Sequence, residues 1–507
     1  MGQTTLILMI ITVISKIFGF VRESVMAAYI GAGELKSIYT TATSVPALLA
    51  NIVVAGIASS YIPVYNKVKN EAGENEAEVF TSNLINILFT LALIVYIIIF
   101  IFAEPISKIL SPKLEGYLLK LAATYTRIMM LAIFAFLYAS VIRGYLNIKG
   151  NFFDPVISGI ILNIIIITST ILTGKFKKPL ILIYGTLIAN IFQYIRFPFA
   201  SKKVGFQYKK KFDISNKYIK YILAMILPLM LSSAADQLSI LVDNSMSSAF
   251  FGVSSVAKIF YAKTMLNFIL GVVTLSVATV TFPEIARLGQ LGDLNQMQKK
   301  LSSSIVLTML LVIPATLGMM ALARPIIKLA FERKAFSASD TTIVSSLLVS
   351  YGPYIIFASL IKIMANGFYS LGDAKTPVKI VLIQQIINII LNFILVKIAG
   401  INGLAYATSL STAIGSILII IAFRKIFRND DYDNRNLSIF KIIISSFIMC
   451  IFAILIFDIL NLTLILSLFL SVMGAIIIYI ILIKFMHIEE VESLISDLKL
   501  KYRKEGW

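Results

Sequence analysis

The chain has 507 residues, 58% apolar and 14% charged, with a mean hydropathy of +0.90 and a formal net charge of +19. Soluble domains run at roughly 45–50% apolar and 25% charged, so a soluble globular enzyme is excluded. With 34 Phe, 22 Tyr and long Ile/Leu runs, so is a disordered chain.

Runs such as Leu91–Phe102 are apolar on every side, unlike the alternating ten-residue segments of an outer-membrane barrel. The expected class is an all-α polytopic membrane protein. Apolar stretches and their breakers predict fourteen helices, at 4–30, 38–65, 82–103, 117–147, 152–173, 178–198, 219–249, 255–288, 302–323, 340–370, 375–399, 403–424, 437–458 and 460–486. The N-terminus has no basic region before its apolar run and no small-residue cleavage site, so it reads as a retained first span. One cysteine, Cys450, and one histidine, His487, argue against disulfide, thiol and His-cluster metal chemistry.

Orientation follows from the lysines between helices 6 and 7: Lys202, Lys203, Lys209, Lys210, Lys211, Lys217 and Lys220 belong on the cytoplasmic side. An even number of spans then places both termini in the cytoplasm, consistent with Arg424, Lys425, Arg428 and Arg435 and the basic tail.

The sequence also repeats. Gly31 recurs as Gly252, Pro63 as Pro283, Arg143-Gly-Tyr-Leu as Asn366-Gly-Phe-Tyr and Asp154-Pro155 as Thr376-Pro377, at offsets of 221, 220, 223 and 222 residues. Equivalent points are six helices apart, so the copies have the same topology and predict two parallel lobes related by an axis along the membrane normal. The predicted organisation is an N-lobe at 1–200, a basic linker at 201–218, a C-lobe at 219–426, helices 13 and 14 at 427–487 as an appendage, and an amphipathic cytoplasmic tail at 488–507. Such lobes suit an alternating-access transporter with its substrate in the cleft.

Ionisable groups inside spans cost about 2.5–3.5 kcal/mol each on insertion scales and need a partner, water or a function. Lys16, Arg22, Glu23 and Arg127 are the first-lobe candidates. They read either as structural pairs or as a cationic cleft for an anionic head group. In the second lobe Asp236 and Asp243 lie on helix 7, while Asn388 and Asn392 share one face of helix 11. With Thr408 at a similar depth, Asp243, Asn388 and Asn392 form either an oxygen set for Na⁺ or a polar interhelical contact. Lys258 and Lys263 either line the cleft or snorkel to the interface. Asp430, Asp431 and Asp433 read as solvated loop, and His487 as interfacial.

Six motifs resemble the MurJ (MviN) lipid II flippases of the multidrug/oligosaccharidyl-lipid/polysaccharide exporter superfamily. They are Ser15-Lys-Ile-Phe-Gly-Phe-Val-Arg-Glu23, Gly31-Ala-Gly, Tyr61-Ile-Pro-Val-Tyr65, Phe282-Pro-Glu-Ile-Ala-Arg287, Phe331-Glu-Arg-Lys-Ala-Phe336 and Gly367-Phe-Tyr-Ser-Leu-Gly-Asp-Ala-Lys-Thr-Pro-Val378. The resemblance covers helices 1–12 and implies a flippase of the plasma membrane; a monomer is expected, with no cofactor other than Na⁺ as a coupling ion. Its expected cargo is an undecaprenyl-pyrophosphate-linked peptidoglycan precursor, with helices 13 and 14 holding the lipid tail. It assigns head-group binding to basic residues matching Lys16 and Arg22. It also assigns possible Na⁺ binding to Asp243, Asn388, Asn392 and Thr408. The chain departs from the family at Asn51 and Thr264, where basic residues are usual, and at Ser37, where an acid is. A flippase for another undecaprenyl-pyrophosphate glycan is the alternative, and a membrane glycosyltransferase a more distant one.

Overall fold

A computed structural model describes residues 2–271, 275–426, 432–460, 462–488 and 492, which contain helices and no strand. The first copy of the repeat runs α1 (Gly2–Ile30), α2 (Glu34–Ala72), α3 (Glu74–Ile101), α4 (Ala103–Leu110), α5 (Gly116–Met130), α6 (Ala132–Ile148), α7 (Phe153–Phe176), α8 (Pro179–Phe192) and α9 (Arg196–Lys203). The second runs α10 (Lys217–Phe251), α11 (Ser255–Ile269), α12 (Leu275–Gln290), α13 (Leu294–Ala321), α14 (Ala323–Phe331), α15 (Ala338–Ser370), α16 (Lys375–Ala399) and α17 (Ile401–Ile426). α18 (Tyr432–Ile459) and α19 (Leu464–Phe485) follow without counterparts.

The repeat extends to individual hydrogen bonds. Gly31 N–H donates to Ala27 O and Gly252 N–H to Ser248 O, both at 3.0 Å and both from positive-φ glycines that end a helix. At the next equivalent turn, Asn151 N–H donates to Leu146 O and Asp373 N–H to Phe368 O. The short helices α4 and α14, absent from the sequence-based expectation, supply one more landmark: Ala103-Glu-Pro and Ala323-Arg-Pro, 220 residues apart. Each is too short to span and follows a long apolar helix, so hydropathy windows merge it with its neighbour.

Eleven of the expected spans are helices long and apolar enough to cross a membrane among the described residues: α2, α3, α5–α6, α7, α8–α9, α13, α15, α16, α17, α18 from Arg435, and α19. The other three expected spans are α1, α10 and α11–α12, each of which includes side chains outside the described set. The tail beyond Glu492 and the acidic pair Asp430 and Asp431 also lie outside it.

Helix faces match a lipid environment. On α16, Ile383, Ile386, Ile390, Phe393 and Ile394 are exposed, whereas Asn388 and Asn392 are buried on the opposite side. That pattern inverts the soluble-protein rule because lipid solvates apolar side chains and polar groups turn inward.

The chain forms two compact units, Met1–Lys258 with Phe331–Ser337, and Ile259–Ala330 with Ala338 onward. In the first, α10 packs on α2, where Gly56 leaves room for Ile226; a Cβ at Gly56 would lie 2.5 Å from the Ile226 side chain. Tyr61, Tyr65 and Tyr145 form its buried aromatic core, with Tyr61 Oη 2.7 Å from Thr81 Oγ1. The second unit has its core between α13, α15 and α18.

Candidate functional site

The polar centre of the first unit lies on α1. Glu23 is 3% exposed and accepts hydrogen bonds on both carboxylate oxygens. Arg22 donates to Oε1 from Nη2 at 2.6 Å and from Nε at 3.0 Å, and Lys36 donates to Oε2 from Nζ at 2.9 Å. The remaining arm of Arg22 reaches Asn163 Oδ1 at 3.1 Å, and Asn163 Nδ2 donates to Ser15 O at 3.2 Å. Two cations thus share one anion, and the local charge is positive. Lys36 is completely buried, with Nζ 5.3 Å from the Tyr39 ring centroid, while the Arg22 side chain keeps 24% of its surface exposed. Arg22 is therefore the member of the triad that a ligand can reach.

Sequence reasoning misses Lys36, because it follows Gly31-Ala-Gly and Glu34, where a basic residue reads as a loop charge. The signal is nonetheless present: Ile38, Tyr39 and Ala42 continue an apolar helix immediately after it. Neighbouring Ser37 accepts a hydrogen bond from Ala257 N–H at 3.0 Å.

A docking segment holds α1 in place. Ala335 N–H donates to Ala28 O at 3.1 Å, Arg333 Nη1 to Ser24 Oγ at 3.2 Å, and Lys334 Nζ sits 4.2 Å from the Tyr29 ring centroid. Phe331 packs on Phe20 with ring centroids 6.3 Å apart. Gly31 is required twice: its φ is +75°, and a Cβ there would lie 2.5 Å from Ala335 O. Phe331-Glu-Arg-Lys-Ala-Phe336 is thus a clamp on the end of α1.

The other candidate cations are placed separately. Lys16 and Asn51 are exposed on α1 and α2. Arg127 donates from Nε to Phe100 O at 3.0 Å and lies over the Phe100 ring, so it satisfies the carbonyl end of α3 and takes no part in the Arg22 cluster. Lys258 is half-buried in the first unit, and Lys263, in the second, lies 5.3 Å from the Tyr351 ring centroid.

Asp243 is buried in the first unit. In the second unit, Asn392 Nδ2 donates to Asn388 Oδ1 at 3.3 Å, Asn388 Nδ2 to Thr408 Oγ1 at 3.3 Å, and Thr408 Oγ1 to Leu404 O at 3.0 Å. These groups form a ladder joining α16 to α17. Its donors are neutral, and a cation there would have to displace amide N–H groups. The Asp236 side chain lies outside the described residues.

The second unit also contains an apolar groove of ≈ 1060 Å³ between α13, α18 and α19. Leu310, Pro314, Gly318, Met449, Ala475 and Ile480 are among its walls, and Lys484 and His487 lie toward one end. Tyr479 donates to Leu310 O at 2.7 Å and fixes α19 against α13.

The family profile of the lipid II flippase MurJ matches residues 26–478. The chain belongs to the MurJ lipid II flippase family. It is 30% identical over 420 residues to a probable lipid II flippase MurJ of Rickettsia prowazekii, covering 81% of each chain. It is 24% identical over 425 residues to the lipid II flippase MurJ of Burkholderia cenocepacia, covering 82% of each. Its fold matches that of a lipid II flippase MurJ in an inward closed conformation, with a TM-score of 0.81 at 23% identity, covering 94% of this chain and 98% of that one. A multidrug resistance MATE family transporter of the MOP superfamily in an inward-facing conformation matches with a TM-score of 0.69 at 14% identity, covering 81% and 94%. The fold is thus the MATE-like one of this superfamily.

Three of the motifs that carry the resemblance shape backbone. Tyr61–Tyr65 fills the first core, Phe331–Phe336 clamps α1, and Gly367–Val378 makes the turn in which Asp373 Oδ1 accepts the N–H groups of Lys375 and Thr376, both at 3.0 Å, at the start of α16. The α1 motif, Ser15–Glu23, is the one that carries the ionic cluster.

Proposed function

We propose that this protein is a transporter, not an enzyme, that moves lipid II, the undecaprenyl-pyrophosphate-linked peptidoglycan precursor, across the bacterial plasma membrane during cell-wall synthesis. Membership of the family supports the cargo, and the Arg22–Glu23–Lys36 cluster is the observation that carries the site. An anionic pyrophosphate needs cations held in a dry cleft, and a guanidinium binds it bidentately through charge-assisted hydrogen bonds. Arg22 meets that need because Glu23 and Asn163 fix its plane while part of it stays accessible.

The groove between α13, α18 and α19 supports a place for the polyprenyl tail, since its walls are apolar and α19 carries exposed Ile476, Ile477 and Ile480. The two lobes alternate access to the cleft, and the protein works as a monomer with both termini in the cytoplasm. Na⁺ serves as a coupling ion acting through Asp243, and Lys16 extends the head-group site along α1.

The test is rescue of a bacterial strain depleted of its own lipid II flippase. Growth with normal shape supports lipid II as cargo. Failure despite full membrane expression would favour an undecaprenyl-pyrophosphate glycan of another kind.

A further inference from the structure

The segment 204–215, between α9 and α10, is fastened to α3. Ser82 Oγ accepts Lys209 N–H at 3.0 Å. Asn83 exchanges two hydrogen bonds of 2.8 Å with the backbone of Asp213. Asn86 donates to Lys211 O at 2.7 Å and accepts from the Tyr208 hydroxyl at 2.8 Å. Three polar side chains of one helix fix the path of a run, Tyr208-Lys-Lys-Lys-Phe212, that would otherwise be a solvated linker.

Under this strap lies a cavity of ≈ 690 Å³ lined by Phe89, Tyr138, Ser201, Lys202, Gln207 and Tyr208. Lys202 is the lysine in its wall, and the chain to either side of the wall residues is both apolar and cationic. Phe199 on α9 and Tyr208, Phe212 and Ile214 on the strap are between 54% and 74% exposed, with Lys202 and Lys203 at the end of α9 and Lys210 and Lys211 on the strap. Lys209 Nζ is 3.4 Å from Gln207 Oε1 at the cavity wall. The nearby acid, Asp213, accepts Ser215 N–H on its Oδ1. Aromatic side chains interleaved with lysines at the ends of spans are the composition of a membrane interface facing acidic head groups.

We propose that this cavity binds an acidic phospholipid of the inner leaflet, independently of the transported cargo. The lysines take the phosphate, and the glycerol and first methylenes lie against Phe89 and Tyr138. The choice of leaflet rests on the cytoplasmic placement of the 202–220 lysines; the binding itself does not.

The experiment uses the full chain in nanodiscs doped with photoactivatable phosphatidylglycerol or photoactivatable phosphatidylcholine, with the labelled peptides mapped by mass spectrometry. Phosphatidylglycerol should label peptides around 85–89 and 198–212 several-fold more than phosphatidylcholine. Lys202→Gln, Lys209→Gln, Lys210→Gln and Lys211→Gln together should cut that labelling at least tenfold, since each lysine near an acidic surface contributes roughly fivefold. The matching Lys→Arg variant should keep it. Equal labelling by both lipids, or labelling unchanged in the glutamine variant, overturns the proposal. Loss of label to excess inorganic phosphate at matched ionic strength overturns the lipid as ligand in favour of a simple anion. A Lys210→Cys probe in a Cys450→Ser background, labelled from outside intact cells by an impermeant maleimide, would overturn the leaflet alone.

Discussion

Lys36 Nζ lies 2.9 Å from Glu23 Oε2, joining the first turn of α2 to the last third of α1 through a fully buried ion pair. Glu23 cannot lose this partner cheaply: removing one member of a buried pair costs about 3–5 kcal/mol, because the other charge is left without full compensation. Lys36→Met should lower thermal stability accordingly. Glu23→Gln should lower it at least as much, since it removes the carboxylate charge to which both Arg22 and Lys36 donate. The double variant should be more stable than the sum of the two losses implies. Fluorescence-detected unfolding in detergent checks all three, and strict additivity would mean that the pair is not coupled.

Gly31 and Gly33 form a matched contrast. Gly31→Ala places a Cβ in a left-handed residue against Ala335 O, whereas Gly33 has φ −86° and a Cβ added there would meet nothing within 4 Å among the described residues. The expected cost is about 1–3 kcal/mol for Gly31→Ala and near zero for Gly33→Ala. Melting curves of the two variants should separate clearly.

The turn before α16 has a pH signature. The Thr376 side chain and the Thr376 and Lys375 N–H groups hold the Asp373 carboxyl below the usual carboxylate range. A depressed folded value means that this stabilisation is present above the unfolded pKa of about 3.9 and is lost as pH falls through the lower folded value. Asp373→Asn should therefore change acid stability below about pH 4. Asp373→Ala should cost about 1 kcal/mol at neutral pH through the lost cap. Unfolding midpoints against pH check both.

Sodium coupling is tested at Asp243, the buried acid through which it is proposed to act. Asp243→Asn should abolish any rise in thermal stability that wild type shows on replacing potassium with sodium. An equal sodium response in both proteins would leave Asn388, Asn392 and Thr408 as the interhelical ladder that their hydrogen bonds describe.

Much of the fold is legible in the sequence, for identifiable reasons. Long apolar runs reveal spans because a bilayer imposes a fixed minimum length, and α16, Lys375–Ala399, coincides with its predicted range of 375–399. The repeat is legible through Gly and Pro, whose backbone requirements survive when side chains drift. α4, α9 and α14 are not, because an eight- or nine-residue helix next to a span adds no separate hydropathy peak. At the site, Arg22 and Glu23 stand out as charges inside an apolar helix. Lys36 does not, since its burial depends on how α2 packs. Arg127 stands out equally, yet it serves the end of α3. Charge inside a span reveals that a partner is needed, not which partner the fold supplies.

Arg22 is where head-group binding by the α1 cluster can be tested most directly. In cells that depend on this protein as their only flippase, lipid II exposed on the outer leaflet can be counted after cleavage by an externally added lipid II-degrading enzyme. Arg22→Ala should leave normal amounts of folded protein in the membrane, collapse the exposed pool and let lipid II accumulate inside, while Arg22→Lys should retain part of the transport. Exposure at the wild-type level with Arg22→Ala would contradict the assignment of the head-group site to the α1 cluster.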